Sequence, residues 1–345
     1  MVDKELPLVS VCIPSYNHAQ YLKETIESVL SQTYSNIEMV IVDDGSTDNS
    51  LAIATQYAET YPDKVRVYTH PDKQNHGISG TVNYAFNLSK GTYWSGLPSD
   101  DLLLPEKIEK QVKYLESHPE LGFVYGYAAG INNQGEPLVG EWEQVGRDIT
   151  QEPNPILTLL EGNCIFGMTV LARREVIEKT GDHRENLVCS DWEFWVRLLL
   201  LAKAGFMAET QVKYRVHEYN TSLSAPYATQ LKWIFEVLRS LRLKAAQDPK
   251  LSLLNSEPYL SHLDLQIEKC LGAILDDQAT QRETLRNQLE RSNQQLAQSN
   301  LTIQQLKASA TAKEQALLSI TDSRGWALLQ LLWRIRRWIA PNFRK

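Results

Sequence analysis

The first hundred residues alternate short apolar runs with amphipathic helical patterns. In chain order, the pattern predicts a strand at 8–13, a helix with Leu22, Ile26, Val29 and Leu30 on one face, a strand at 37–42, a helix at 51–61, a strand at 65–68, a helix at 78–89 and a strand at 92–97. Because parallel strands need a crossover connection, this alternation indicates an α/β fold with a mostly parallel sheet. Ligands of such sheets bind at the carboxyl ends of the strands.

The region from about 105 to 225 is less regular. It predicts a helix at 105–117, strand pieces near 121–131 and 165–172, a helix at 191–203 and a strand that ends at His217. We expect this half to close the sheet and to build a second wall.

Residues 226–275 predict two or three helices, and the composition then shifts to Gln, Ser, Asn, Ala and Leu. Eleven positions with alternating spacings of four and three follow: 285, 289, 292, 296, 299, 303, 306, 310, 313, 317 and 320. Only Ser292, Ser299 and Lys313 are polar among them. This seam predicts a modest coiled coil, and a long solvated single helix is the alternative.

The end of the chain differs from the rest in charge. Residues 321–345 contain six cationic residues and one acid, a net charge of +5 against −12 for the remainder. Within them, Leu328, Leu332, Ile335 and Ile339 line one helical face, and three tryptophans accompany the arginines. This pattern is typical of a basic amphipathic helix on an anionic membrane surface. The alternative is a helix that docks on the catalytic domain or on another protomer. Nucleic-acid binding is not expected, because the acidic remainder would be repelled.

No segment predicts a transmembrane helix or a signal peptide. The apolar cluster from Trp326 to Trp333 is far shorter than the roughly 20 residues that a spanning helix needs. The four cysteines show no paired spacing, which favours reduced thiols. We therefore expect a cytoplasmic protein, peripheral at the inner membrane face.

Candidate chemistry lies where three predicted strands end. These segments are Ile13-Pro14-Ser15-Tyr16-Asn17, Val42-Asp43-Asp44-Gly45-Ser46-Thr47-Asp48 and Leu97-Pro98-Ser99-Asp100-Asp101. Acids at the ends of neighbouring strands repel one another unless a cation or hydrogen-bond donors compensate. Asp44, Asp100 and Asp101 provide the hard oxygen ligands that Mg²⁺ or Mn²⁺ requires when it bridges a substrate diphosphate. Asp48 is expected instead to cap a helix.

These segments, together with Ser28-Val29-Leu30-Ser31-Gln32-Thr33-Tyr34, resemble glycosyltransferase family 2, which has the GT-A fold. The resemblance covers about residues 6–220. It implies a Rossmann-like, mostly parallel central sheet flanked by helices, here with a C-terminal helical or coiled-coil extension. It also implies an inverting, metal-dependent transferase of the hexosyltransferase type that uses a nucleotide-diphosphate sugar.

The resemblance assigns roles to residues of the donor half. Pro14, Tyr16 and Asp44 match positions that hold the nucleotide base. Asp100 matches an acid that contacts the ribose and the metal, and Asp101 matches a metal ligand. The sequence departs from the family at Pro98, where many members have an Asp, and at Val82, where Arg is common.

The acceptor half carries a second signature. In Cys189-Ser190-Asp191-Trp192-Glu193, Asp191 matches the family's general base, while Ser190 replaces its Glu. The alternative for Asp191 is an acid that stabilises the start of a helix. His217, in Tyr214-Arg215-Val216-His217, matches a residue that reaches the metal or the diphosphate. The other histidines show no ligand spacing, and Trp192 and Trp195 are expected in the core rather than on a sugar.

We therefore expect transfer of a sugar to a glycan or lipid-linked acceptor at the cytoplasmic face, in cell-surface polysaccharide or lipopolysaccharide biosynthesis. The expected domains are a catalytic domain (1–225), a helical extension (226–276), a coiled coil or long helix (277–320) and a basic tail (321–345). Homo-oligomers through the coiled coil are a further expectation. One alternative is a non-catalytic nucleotide-sugar-binding scaffold; another is a nucleotidyltransferase, although Ser15 to Gln20 lacks the basic phosphate loop that this chemistry needs.

Overall fold

The computed structural model of the chain describes residues 6–218, 220, 225–321 and 324–339. The chain divides into two units, Met1–Leu275 and Asp276–Lys345. The finer division into four domains stays a prediction.

The first unit is built on an eight-stranded sheet with the order β3-β2-β1-β4-β7-β6-β8-β5. The strands are β1 (Val9–Ser15), β2 (Ile37–Asp43), β3 (Val65–Thr69), β4 (Tyr93–Gly96), β5 (Leu102–Leu103), β6 (Leu121–Ile131), β7 (Leu171–Arg173) and β8 (Lys203–Arg215). β1 to β4 are parallel, whereas β7 runs antiparallel to both β4 and β6. β1 and β2 are buried along their whole length, as expected for central strands covered on both faces.

Helices cover both faces of this sheet and continue beyond it. They are α1 (Ala19–Leu30), α2 (Ser50–Thr60), α3 (Gly77–Leu88), α4 (Lys107–Ser117), α5 (Pro155–Glu161), α6 (Arg174–Thr180), α7 (Ser190–Leu201), α8 (Tyr227–Lys244), α9 (Tyr259–Thr321) and α10 (Arg324–Ile339). The buried faces form two apolar clusters, one around Trp94, Phe123 and Trp195 and one around Val11, Ile26 and Leu115.

The predicted alternation of strands and helices is confirmed, with ends shifted by one or two residues. Four features differ from the expectation. The seven-residue helices α5 and α6 have no counterpart in the sequence prediction. The two-residue strand β5 was not predicted, because two residues carry no periodicity. The strand predicted at 165–172 begins only at Leu171, because Gly167–Thr169 forms a 3₁₀ turn instead.

The second unit contains most of α9 and all of α10. Every side chain from Gln278 to Ser319 is exposed, including the leucines of the predicted seam. None of the described helices combines the length and the apolar character that crossing a bilayer requires. The predicted basic tail is described only in part. Residues 322–323 and 340–345 lie outside the described residues, as do the side chains of Thr321, Arg324, Trp326, Arg337, Trp338 and Ile339.

Candidate active site

The three segments that follow predicted strands meet at one edge of the sheet. Ser15 pairs with Asp43 in the parallel register of β1 and β2, and the Asp44 N–H donates to the Ser15 carbonyl at 2.8 Å. On the other side of β1, the Leu97 N–H donates to the Cys12 carbonyl at 2.9 Å. The ends of β1, β2 and β4 are therefore held side by side, as parallel pairing dictates.

Pro14 and Tyr16 have different environments at this edge. Pro14 is buried within β1, opposite Val42. Tyr16 follows the strand and is 45% exposed. At the next residue the backbone turns into the left-handed region, with φ of 52° at Asn17. Tyr16 is thus the aromatic ring of this edge that is open to a ligand, whereas Pro14 shapes the strand beneath it.

Asp44 fixes the loop that leads into α3. Its Oδ1 accepts the His76 N–H at 2.7 Å and its Oδ2 accepts the Gly77 N–H at 3.0 Å, while His70 Nε2 lies 3.3 Å from Oδ1. Gly77 has φ of 75°, a conformation that favours glycine. Each carboxylate oxygen has two lone-pair sites, so Asp44 can hold this loop and still accept a hydrogen from a nucleobase.

Asp100, which follows β4, and His217, which follows β8, are in direct contact. His217 Nε2 is 2.9 Å from Asp100 Oδ2, and both residues are buried. His18, which follows β1, completes a group of three whose ligand atoms all lie within 4.8 Å of one another. Burial lowers the pKa of His18, which favours the neutral imidazole that a metal ion requires.

Asp101 is fully buried and is bound by the backbone of Arg215. Its Oδ1 accepts the backbone N–H of Arg215 at 2.8 Å, and the Arg215 side chain donates to the Asp100 carbonyl at 2.9 Å. Its Oδ2 is buried without a hydrogen-bond donor among the described residues. Burial and the neighbouring Asp100 charge raise the pKa of Asp101 well above its usual range. Asp101 is not one of the three clustered ligands, and its metal-binding role stays a prediction.

Asp191 lies at the beginning of α7, where the helix dipole favours a negative charge. Its Oδ2 accepts a hydrogen bond from Asn163 Nδ2 at 2.9 Å. Burial raises the pKa of Asp191, and hydrogen bonds from the Trp192 backbone and from Asn163 lower it in part. A carboxylate with a raised pKa is a better proton acceptor, which is the property that a general base needs.

The beginning of α7 is tied to the beginning of α3. Ser79 Oγ and Ser190 Oγ are 2.6 Å apart and buried. α3 follows the loop that Asp44 holds, so this contact joins the loop after β3 to the helix of Asp191. Ser190, which replaces the family's Glu, therefore has a structural contact of its own.

The rest of the first turns of α7 packs into the core. Trp192 and Trp195 are 3% and 1% exposed, and Trp192 Nε1 donates to the Leu159 carbonyl at 2.7 Å. Between them, the buried Glu193 pairs with Arg184 and Arg197. Both tryptophans thus have the core position expected for them, and the ion pairs hold α7 in place.

Residues 10–181 match the model of glycosyl transferase family 2. The chain belongs to this family. It is 33% identical over 264 residues to an uncharacterized glycosyltransferase of Rickettsia felis, a match that covers 74% of this chain and 43% of the relative. The family-2 chain therefore spans less than half the length of that relative.

Two solved structures resemble this family-2 chain in fold. Residues 1–349 of S. aureus TarS, in complex with UDP-GlcNAc, align with a TM-score of 0.56 at 21% identity, over 76% of this chain and 71% of that one. The mannosyltransferase PcManGT of Pyrobaculum calidifontis, in complex with GDP-Man and Mn²⁺, aligns with a TM-score of 0.52 at 18% identity, over 79% and 88%. The expected GT-A fold is confirmed.

The structure of this family-2 chain brings together some of the sequence-predicted residues and adds others. Asp100 and His217 meet, whereas the carboxylates of Asp44, Asp101 and Asp191 have separate partners. Sequence reasoning missed His18 and Asn163. For His18 a signal existed, because it follows β1 at the same edge as the acids; for Asn163 no pattern in the sequence indicated its proximity to Asp191.

Proposed function

We propose that this chain transfers a sugar from a nucleotide-diphosphate sugar to an acceptor hydroxyl, with inversion at the anomeric carbon. The observation that carries the proposal is that α3 connects two polar centres: Asp44, Asp100 and His217 after the strands, and Asp191 at the beginning of α7. Membership of glycosyl transferase family 2 supports it. So do the UDP-GlcNAc and GDP-Man complexes of two proteins with this fold.

In this mechanism Asp191 is the general base. It takes the proton of the acceptor hydroxyl while that oxygen attacks the anomeric carbon on the face opposite the diphosphate. The new carbon–oxygen bond forms as the bond to the diphosphate breaks, and the electron pair leaves with the diphosphate. Attack from the opposite face inverts the configuration. Tyr16 and Asp44 bind and orient the nucleotide base.

The donor set at the strand ends fits a divalent cation such as Mn²⁺ or Mg²⁺. A buried carboxylate and a neighbouring imidazole, Asp100 and His217, suit Mn²⁺ in particular. Asp101 is the further ligand that the resemblance implies. A bound divalent ion would neutralise charge on the departing diphosphate.

The acceptor proposed is a glycan or lipid-linked intermediate at the inner membrane face, in cell-surface polysaccharide or lipopolysaccharide synthesis. The basic, Leu- and Trp-rich α10 supports a membrane surface as partner, and the leucine seam of α9 supports homo-oligomers. We retain the proposed division into a catalytic domain, a helical extension, a coiled coil and a basic tail.

Slow hydrolysis of a nucleotide sugar tests the chemistry, because water replaces the unknown acceptor. A panel of UDP-, GDP- and dTDP-sugars is supplied with Mn²⁺, and release of the nucleoside diphosphate is measured. We expect Asp191→Asn to lower the rate by about 10²- to 10⁴-fold, the usual contribution of a general base. The affinity for the nucleoside diphosphate, measured by calorimetric titration, should stay within about twofold of the wild-type value, because a general base does not bind the nucleotide.

Asp63→Asn is the matched control, since Asp63 is an exposed acid between α2 and β3. It should hydrolyse the donor at the wild-type rate. Turnover by Asp191→Asn within about tenfold of wild type would remove Asp191 from the role of base. Donor binding without any turnover by the wild-type protein would favour the non-catalytic scaffold instead.

A further inference from the structure

His18 has a backbone position that the protein fixes from two sides. Its N–H donates to Ser50 Oγ at 3.0 Å, and the next N–H, of Ala19, donates to Asp48 Oδ2 at 2.9 Å. Asn17 accepts the Thr47 N–H at 2.8 Å. The segment after β2 thus caps α1 and places the His18 side chain beside the end of β4.

The His18 ring points into the group formed by Asp100 and His217. Nδ1 is 2.8 Å from Ser99 Oγ and 4.0 Å from Asp100 Oδ1. The His18 and His217 rings meet edge to face, with centroids 5.8 Å apart. His18 is 23% exposed in its side chain, and His217 only 1%, so His18 lies on the open side of the group.

The chemistry of this group differs from a site made of two aspartates. Mg²⁺ is bound mainly through oxygen ligands, whereas imidazole nitrogens favour the later divalent ions of the first transition series. Ligand atoms within 4.8 Å of one another need only small side-chain movements to reach one ion. Two imidazoles and one carboxylate would give the ion three protein ligands without the carboxylate of Asp101, which accepts the Arg215 N–H instead.

We propose that His18 is the third protein ligand of the donor-site metal, with Asp100 and His217, and that it makes the site select Mn²⁺ or Co²⁺ over Mg²⁺. This inference rests on the proposed function only in that the ion serves the nucleotide-sugar donor. The rival explanation is that His18 only bonds Ser99 and packs beside His217.

The test is metal binding by the metal-free, full-length protein. Mn²⁺, Co²⁺ and Mg²⁺ are titrated calorimetrically, each alone and with UDP or GDP. We expect wild type to bind Mn²⁺ and Co²⁺ at least about tenfold more tightly than Mg²⁺. His18→Ala and His18→Asn should weaken the binding of Mn²⁺ by at least about tenfold and that of Mg²⁺ by less than about threefold. Mutation of a residue that only supports a ligand typically lowers metal affinity by about tenfold or more, and loss of a direct ligand should lower it at least as much.

Ser99→Ala is the matched control, because it removes the hydrogen bond to His18 and keeps both imidazoles. It should retain the preference for Mn²⁺, and the visible spectrum of bound Co²⁺ should change in the two His18 variants but not in Ser99→Ala. Wild-type Mn²⁺ affinity in both His18 variants would overturn the inference. So would an equal loss in Ser99→Ala, which would make His18 a packing residue.

The outcomes separate this inference from the proposed function. A protein that hydrolyses a nucleotide sugar but keeps its Mn²⁺ affinity without His18 would contradict the inference alone. A protein that selects Mn²⁺ through His18 but binds no nucleoside diphosphate would contradict the proposed donor and leave the metal site standing.

Discussion

The protonation of Asp191 is governed by two opposing effects at the scale of single residues. Burial raises the pKa of its carboxyl group, and hydrogen bonds from the Trp192 backbone and from Asn163 lower it. A general base must be deprotonated to act, yet a base with too low a pKa accepts protons poorly. Asn163 therefore adjusts the pH range in which Asp191 can work.

Asn163→Ala removes the bond that favours the charged carboxylate, so the pKa of Asp191 should rise further. The acidic limb of the kcat/KM profile for donor hydrolysis should then move to higher pH by about one unit. A hydrogen bond to a charged group contributes roughly 1.5 kcal/mol, and one pKa unit corresponds to about 1.4 kcal/mol. The measurement is kcat/KM between pH 4 and pH 8.

Asn154→Ala serves as the control for this prediction. Asn154 caps the beginning of α5 and bonds Tyr259, and it does not contact Asp191. Its profile should keep the wild-type limb even if the protein loses some stability. An unmoved limb in Asn163→Ala would mean that the observed limb belongs to a group other than Asp191.

The acids at the strand ends could be located from the sequence, because strand order along the chain predicts which ends share an edge. The direction in which each acidic side chain points could not be predicted from the sequence. Asp100 and Asp101 are adjacent, yet one faces His217 and the other accepts the Arg215 N–H. The sequence shows no ligand spacing for His18, because Asp100 and His217 are about 80 and 200 residues away in the chain.

At the scale of elements, α9 is a helix of 63 residues whose second half is exposed on all sides. A solvated single helix of this kind is usually supported by many charged pairs one turn apart. Among the described residues of the exposed part, only Arg286 and Glu290 form such an ion pair. The leucine seam, rather than surface charge, is therefore the feature available to stabilise it.

We expect α9 to pair with the same helix of a second copy. Leu289→Ser with Leu296→Ser, two seam positions one heptad apart, should convert the dimer into a monomer, because buried leucines supply most of the energy of such a seam. Molar mass is measured by light scattering after size exclusion, and helix content by circular dichroism at low concentration. Both should fall.

The control double variant is Leu301→Ser with Leu318→Ser, which removes two other exposed leucines that lie off the seam. It should remain a dimer. A monomeric wild-type protein, or an equal response of the two double variants, would contradict pairing through this seam.

The elements themselves were largely accessible from sequence, and the exceptions have physical causes. Strands of five or more apolar residues and helices with a clear apolar face were predicted within one or two residues. β5 and β7 are two and three residues long, and they exist because β8 and β4 supply pairing partners. Tertiary pairing of that kind leaves no local pattern to detect.

At the scale of the whole molecule, charge is divided unevenly along the chain. The tail from 321 carries +5 and the remainder −12. In α10, the described leucines and Ile335 are exposed, and Arg334 and Arg336 lie among them. An amphipathic helix with exposed apolar area and arginines gains free energy at an anionic bilayer surface, where the acidic remainder of the chain would not.

Deletion of residues 321–345 should therefore abolish co-sedimentation with vesicles in which roughly 30% of the lipid is phosphatidylglycerol, an anionic lipid that attracts arginine. Arg334→Gln with Arg336→Gln should weaken binding about 30-fold, because each arginine contributes about 1 kcal/mol at an anionic surface. Arg282→Gln with Arg291→Gln removes two exposed arginines from α9 and should change vesicle binding little.

Binding of the wild-type protein to the vesicles should also weaken with added salt, since the attraction is screened. Unchanged sedimentation after the deletion would mean that another part of the chain binds the vesicles, and it would contradict the proposed role of α10 at the membrane surface.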